Sequence, residues 1–340
     1  MNYNPKSKKG EALESPVKKE LHRLRPAYNW IILFFFGLWA LCGYLTWQLP
    51  NFWLRLPGYL FSGILLHALG ILMHEGVHSN LSKNRSINRW LGFFCGLPTL
   101  LSLSAYKAVH LPHHRHERSV EDPDEFDNLT DKPPVLKVIL VLWFFIGAYF
   151  YLFHIAFTGF KLASPNERKK IVQEYLLLLL LVGLVFTFIP LKILTPVWLI
   201  PILFAAQIAQ IRGLAEHAFT AGDSSIRATR TVTGNRLVSF FMCNLNYHLE
   251  HHFYPAVPWY NLPRLHSLLL EELQNEGASI YSSYLCYLRD VFKALSMKVS
   301  NPYAESGPPA GYYRHYLPVL TSIGKNNSEP VLRDEATLST

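Results

Sequence analysis

Cysteine is scarce in this chain, and charge is missing where the apolar residues gather. Only four cysteines occur among 340 residues: Cys42, Cys95, Cys243 and Cys286. None stands in a CxxC pair, which argues against thiolate-held zinc, iron–sulfur clusters and a disulfide scaffold. Acidic residues are also few, 24 against 32 basic ones, and the formal net charge is +8. A basic balance raises the question of nucleic acid. The positive residues, however, flank apolar blocks instead of forming a stripe with interleaved aromatics. No nucleic-acid partner is expected, and a membrane is. A cleaved signal peptide is not expected either. The opening MNYNPKSKKGEALESPVKKELHRLRP is too polar and too long before the first apolar run. Residues 1–27 read as a basic cytosolic tail leading into a retained span.

Long uncharged runs are what the chain does have. Half of its residues are hydrophobic. They concentrate at 30–47, 56–73, 138–157, 175–189 and 194–211, and a helix of about 20 residues crosses a hydrocarbon core of about 30 Å. The basic start sits inside, and two crossings return the chain there near His74. The histidines near 217 and 248 reach the same side only if an even number of crossings intervenes, yet three blocks lie between. The basic segment 161–170 prefers the inside, so 138–157 is expected to be re-entrant or in-plane. The expected fold is an all-α integral membrane protein. It has four transmembrane helices in two hairpins, interfacial or re-entrant helices, and a cytosolic histidine-rich cap. Residues 89–105, broken by Gly92, Gly96 and Pro98, read as an interfacial element. The expected domain is 28–303, followed by a flexible cytosolic tail over 304–340.

Fifteen histidines occur, and nine of them stand beyond apolar blocks in a pattern. HEGVH places His74 and His78 four apart on one helical face. HLPHHRH holds His110, His113 and His114, with His116 beside them. Glu216–His217 follows the last span. NYHLEHH holds His248, His251 and His252. The i, i+3, i+4 spacing allows three imidazoles of a cluster to point one way. Neutral imidazole is a good ligand for iron, zinc, nickel or copper. Nine such ligands exceed the needs of one metal, so two are implied. A site so rich in nitrogen donors favours iron with open positions over structural zinc. Reduced iron with O2 breaks unactivated C–H bonds, which an apolar substrate in a bilayer offers. HEGVH alone also matches the HExxH pattern of zinc proteases, with Glu75 as general base. That remote alternative leaves seven histidines unused. The other role for Glu75 is to orient an imidazole.

These boxes, HxxxH, HxxHH and HxxHH, resemble those of the membrane fatty acid desaturase and hydroxylase superfamily, over roughly residues 30–290. The resemblance extends to HLPHHRHERSVEDPDEFD, with Asp122, Asp124 and Asp127, and to NLNYHLEHHFYPAVPWYNLPRLH. It implies a four-span protein with two Fe ions as cofactors, O2 as co-substrate and a metal ligand at His217. It also implies a separate ferredoxin, rubredoxin or cytochrome b5-type electron donor. Desaturation of a fatty acyl chain is the expected reaction. Hydroxylation or ketolation of a carotenoid or other membrane lipid, or oxidative decarboxylation of a fatty acid, is the alternative. The expected location is multi-pass in a bacterial inner membrane, histidines on the cytoplasmic side. Lys107, Arg115 and Arg118 read as solvated cap residues or attractors of a donor or headgroup. Asn244 and Asn246 read as partners of a metal-bound water or as pins for the backbone before His248. His67, His154, His116 and His266 are expected outside the ligand set. Trp259, with Pro255 and Pro258, is expected to stiffen the exit from the last cluster.

Overall fold

The structure, a computed structural model, describes residues 15–119, 121–125, 133–218, 220 and 224–296. Asp127, the 304–340 tail and the first part of the 1–27 tail lie outside the described residues. The described residues open with a short helix, α1 (Ser15–Leu21), which leads to α2 (Trp30–Gln48) and α3 (Phe52–Val77). Next come α4 (Arg85–Gly96) and α5 (Leu103–His116), then three long elements. These are α6 (Pro133–Leu162), α7 (Pro165–Phe188), and α8 (Leu191–Leu194) running through a π-turn (Thr195–Leu199) into α9 (Ile200–His217). The distal part holds α10 (Ser225–Ala228), β1 (Arg230–Val232), α11 (Arg236–Phe241), α12 (His248–Phe253), α13 (Leu262–Asn275), β2 (Ser279–Tyr281) and α14 (Tyr284–Ser296). An all-α fold has no strands, yet β1 and β2 pair here in parallel over three residues, from Arg230↔Ser279 to Val232↔Tyr281.

Five helical stretches are long and apolar enough to cross a membrane, within Pro16–Gln48, Phe52–Val77, Val141–Leu162, Pro165–Phe188 and Leu191–His217. Their outer faces carry the apolar residues a soluble protein would bury: Phe153 is 75% exposed, Phe157 75% and Phe188 76%. Such a surface is stable against lipid. Inside, α3 is the hub and packs on α2, α4 and α9. Leu65, Leu66, Leu69 and Leu72 are fully buried there. Gly76 and Gly92 bring α3 and α4 into backbone contact. Gly92 therefore serves close packing and does not break the helix, which is why α4 runs unbroken to Gly96.

Pro201 has no N–H, so the carbonyl of Val197 four residues earlier loses its helical partner. In hydrocarbon such a carbonyl needs another donor. Trp39 Nε1 of α2 supplies it at 2.9 Å. Trp198 Nε1 in the same turn donates to the Pro98 carbonyl at 2.8 Å. Two indoles thus pin the π-turn between α2 and the turn that follows α4. A second brace is Glu174 of α7, fully buried. It accepts from Arg89 Nε at 2.8 Å, Ser102 Oγ at 2.7 Å, and both the backbone N–H (2.8 Å) and Oγ (2.7 Å) of Ser104. The start of α5 is thereby fixed against α4 and α7.

Residues 15–29 do not trail away. Asn261 Nδ2 donates to the Leu21 carbonyl at 2.6 Å, Tyr260 Oη to the Arg23 carbonyl at 3.1 Å, and Arg264 pairs with Glu20 at 2.8 Å. The part of the expected tail that is described is therefore docked on the segment following α12.

Candidate metal centre

Histidines from four distant parts of the chain meet at one end of the helical bundle. His74 ends α3 and His78 follows it; His110, His113 and His114 lie on α5; His217 ends α9; His248, His251 and His252 lie on α12. Their nitrogens form two adjoining groups. His74, His78, His110, His114 and His251 make one, with ligand atoms all within 4.8 Å of one another. His113, His217 and His252 gather with Glu117 within the same span, and His217 and His248 do so with Glu216. The stacked rings of His114 and His252, 3.9 Å apart, join the groups.

Each HxxHH box is divided between them. On α5, His110 and His114 face the first group and His113 the second. On α12, His251 faces the first, and His248 and His252 the second. Expecting three imidazoles of a box to point one way is therefore corrected. Neighbouring helical positions diverge by about 100° around the axis, so i+3 and i+4 serve different centres.

Five of the rings converge through Nε2. Nε2 of His78 lies 3.0 Å from Nε2 of His110, which lies 2.9 Å from that of His114; Nε2 of His217 and His248 are 2.9 Å apart. Carboxylates meet the opposite nitrogens. Asp122 receives Nδ1–H of His113 at 3.0 Å. Glu117 lies 3.1 Å from Nδ1 of His252 and 3.7 Å from that of His217, and Glu216 lies 3.6 Å from that of His248.

Charge states follow from burial. Desolvation holds His78 down at about 3 and keeps His110, His114, His248 and His251 well below the ordinary imidazole range. These rings are neutral at pH 7 and offer lone pairs. Burial pushes His113 down most strongly of any single cause, but the bond to Asp122 together with the charges of Asp122, Asp124 and Glu117 outweighs it and lifts His113 to about 9. His113 would hold a cation in its neutral form, with the Asp122 bond kept at Nδ1.

Several buried nitrogens find no protein partner, including both of His74, both of His251 and Nδ1 of His114. Buried polar atoms normally have one, and a coordinated ion is a recognised reason when they do not. Convergent neutral nitrogens with anionic support behind them fit two divalent cations with nitrogen-rich coordination.

Other expectations resolve individually. Asn244 Nδ2 donates to the Trp259 carbonyl at 3.2 Å, and Asn246 Nδ2 to the carbonyls of Val232 at 2.8 Å and Thr233 at 3.0 Å. Both pin backbone. Glu75 accepts from Asn80 Nδ2 at 3.2 Å and from the Trp259 N–H at 2.9 Å, tying the first box to the segment after the last. His266 bonds to Glu250 at 2.5 Å, itself bound by Thr231, beneath α12. His116 faces Glu121 at 3.7 Å, outside both groups. His154 faces Asp124 at 3.3 Å, and His67 is buried without a hydrogen bond. Arg115 is exposed and Lys107 half-buried. Arg118 is corrected. It is buried and paired with Glu125 at 2.7 Å, because the turn after α5 folds inward. It is no solvated attractor. Glu117, Glu174 and Tyr106, which stacks on His110 with centroids 5.0 Å apart, were not legible as partners. The one signal for Glu117 was its place directly after the second box.

A membrane-embedded helical bundle carrying a buried, two-part polyhistidine centre defines the class. The chain belongs to the fatty acid desaturase family, whose sequence pattern matches residues 50–284. It is 29% identical over 269 residues to a sphingolipid delta(4)-desaturase DES1 of Drosophila melanogaster, covering 75% of this chain and 78% of that one. It is 26% identical to a sphingolipid delta(4)-desaturase/C4-monooxygenase DES2 of Rattus norvegicus, covering 73% and 76%. It is 25% identical to the Homo sapiens sphingolipid delta(4)-desaturase DES1, covering 81% and 83%. The protein is accordingly an oxygen-dependent, histidine-ligated di-iron enzyme that modifies lipid. These relatives are animal proteins and give the expected bacterial inner membrane no support.

Proposed function

We propose that this enzyme acts on a sphingolipid, introducing a double bond into its long aliphatic part. The carrying observation is the two-part imidazole centre, set at the end of an apolar bundle in a chain similar to sphingolipid desaturases over three quarters of its length. In this reading His74, His78, His110, His114 and His251 hold one iron, and His113, His217, His248 and His252 the other. Iron held there supplies, with O2, the means to remove hydrogen from an unactivated C–H bond.

The protein's own part is placement and insulation. Neutral imidazoles donate lone pairs without bringing charge. Asp122 fixes the tautomer of His113 through its hydrogen bond, and Glu117 and Glu216 set negative charge beside His252, His217 and His248. The bundle keeps water from the reacting carbon, and fixing that carbon near the centre decides which hydrogens leave. Electrons come from a separate donor protein on the histidine side, which this reading sets at the cytosolic face. Hydroxylation at the same position is the second reading. It is favoured by the relatives whose names carry both desaturase and C4-monooxygenase activity.

Sphingolipid analysis of a host that makes the saturated precursor and expresses the chain tests the proposal. A new double bond in the sphingolipid fraction is expected, and a new hydroxyl there selects the second reading. Unsaturation confined to glycerolipid acyl chains would overturn the substrate assignment.

A further inference from the structure

The two halves of the centre differ in what stands behind their imidazoles. In the second group, every ring has a carboxylate within 4 Å of Nδ1, hydrogen-bonded at His113 and set nearby as negative charge at the others. Asp122 reaches His113 with both oxygens at 3.0 Å, Glu117 faces His252 at 3.1 Å and His217 at 3.7 Å, and Glu216 faces His248 at 3.6 Å. In the first group, His74 alone has one, Glu75 at 3.9 Å, and Glu75 already serves Asn80 and the Trp259 N–H. Among the described residues no carboxylate lies within 4 Å of His78, His110, His114 or His251. Nδ1 of His114 and His251 is buried without a hydrogen bond, and so is Nδ1 of His217 and His248, so apart from the His113–Asp122 bond the groups differ in the negative charge set beside the rings.

A carboxylate at Nδ1 raises the basicity of Nε2 and fixes the ring, and losing it typically costs about 10–100-fold in metal affinity. Anionic groups beside a buried dication also stabilise it directly. Five neutral imidazoles in the first group supply lone pairs with little compensation of charge. Arg212, 3.6 Å from Glu216, withdraws part of that carboxylate's effect. Asp122 and Glu117 therefore carry most of the difference. Glu117 alone faces two rings, and its position directly after α5 ties it to the box that feeds both groups.

Building on the metal-centre reading above, we infer that the two positions are unequal. The one enclosed by His113, His217, His248 and His252 binds its ion more tightly and fills first, with Glu117 as the positioning residue that sets the gap. The first equivalent of metal enters this position, and the five-imidazole position fills afterwards.

Anaerobic titration of metal-depleted, detergent-solubilised full-length protein with Co(II) tests this, read by visible absorption and by bound cobalt after gel filtration. Two separated steps are expected. His251→Ala should keep the first step and lose the second. Glu117→Gln should weaken the first about 10–100-fold and draw the steps together, with Glu117→Asp recovering part of the loss. Glu75→Gln should leave the first step in place. Should Glu117→Gln fail to fold, Asp122→Asn makes the same prediction for the first step. A single step in wild type, loss of the first equivalent in His251→Ala, or an unshifted first step in the Glu117 or Asp122 variant would overturn the inequality. Wild type that binds no cobalt would overturn the metal-centre reading itself.

Discussion

His251 is fully buried, and its two nitrogens have no hydrogen-bond partner. Replacing it with alanine removes a candidate ligand and no visible bond of the fold. His251→Ala should lower turnover at least about 100-fold while the protein still accumulates in the membrane; activity near wild type would remove His251 from the centre. Asp122→Asn keeps the shape but weakens the grip on His113. A drop of about 10–100-fold in activity or metal affinity is expected, checked by turnover at saturating donor. At this scale the sequence spoke clearly wherever chemistry demands one residue type at fixed spacing, as in the three boxes. It was silent on Glu117, because a glutamate following a box looks like any solvated acid. It misled on Arg118, whose burial depends on a turn that folds back toward Thr220, where its guanidinium meets a backbone carbonyl at 3.2 Å.

Glu174 and Trp39 act on whole helices. Glu174→Ala leaves Arg89 without its carboxylate and strands the bonds of Ser102 and Ser104. Breaking a buried pair from one side costs about 3–5 kcal/mol. The variant should show a clearly lower unfolding midpoint in detergent and reduced metal content, since α5 carries three of the nine candidate ligands. An unchanged midpoint would mean that α5 is held elsewhere. Trp39→Phe keeps a smaller aromatic ring but leaves the Val197 carbonyl unpaired, a loss of about 1–3 kcal/mol, measurable in the same melts. The long apolar blocks announced these helices by length alone. Their braces were illegible because each joins residues far apart in the chain, Trp39 with Val197 and Arg89 with Glu174. Gly92 was misread for a related reason: glycine breaks an isolated helix but permits one helix to lie against another.

For the molecule as a whole, the question is which of the five long helices cross the membrane. The ends of α3 and α9, together with α5 and α12, share the metal end. The turns at 49–51 and 189–190 join helices at the other end. Gly159 of α6 abuts the backbone of Ala105, and Tyr151 Oη donates to Asp124 at 2.9 Å. These contacts tie α6 to elements of the metal end, in keeping with an in-plane course. Single cysteines labelled from either face of sealed vesicles should place 163–164 on the side of His78, and 49–51 and 189–190 opposite. Finding 163–164 opposite His78 would make α6 a span.

Two metals held by nine imidazoles is the claim beneath all of this. Elemental analysis of the protein purified from membranes of iron-supplied cells addresses it most directly. About two irons per chain are expected, falling in His251→Ala. One zinc per chain, or no metal in protein that remains folded, would contradict it.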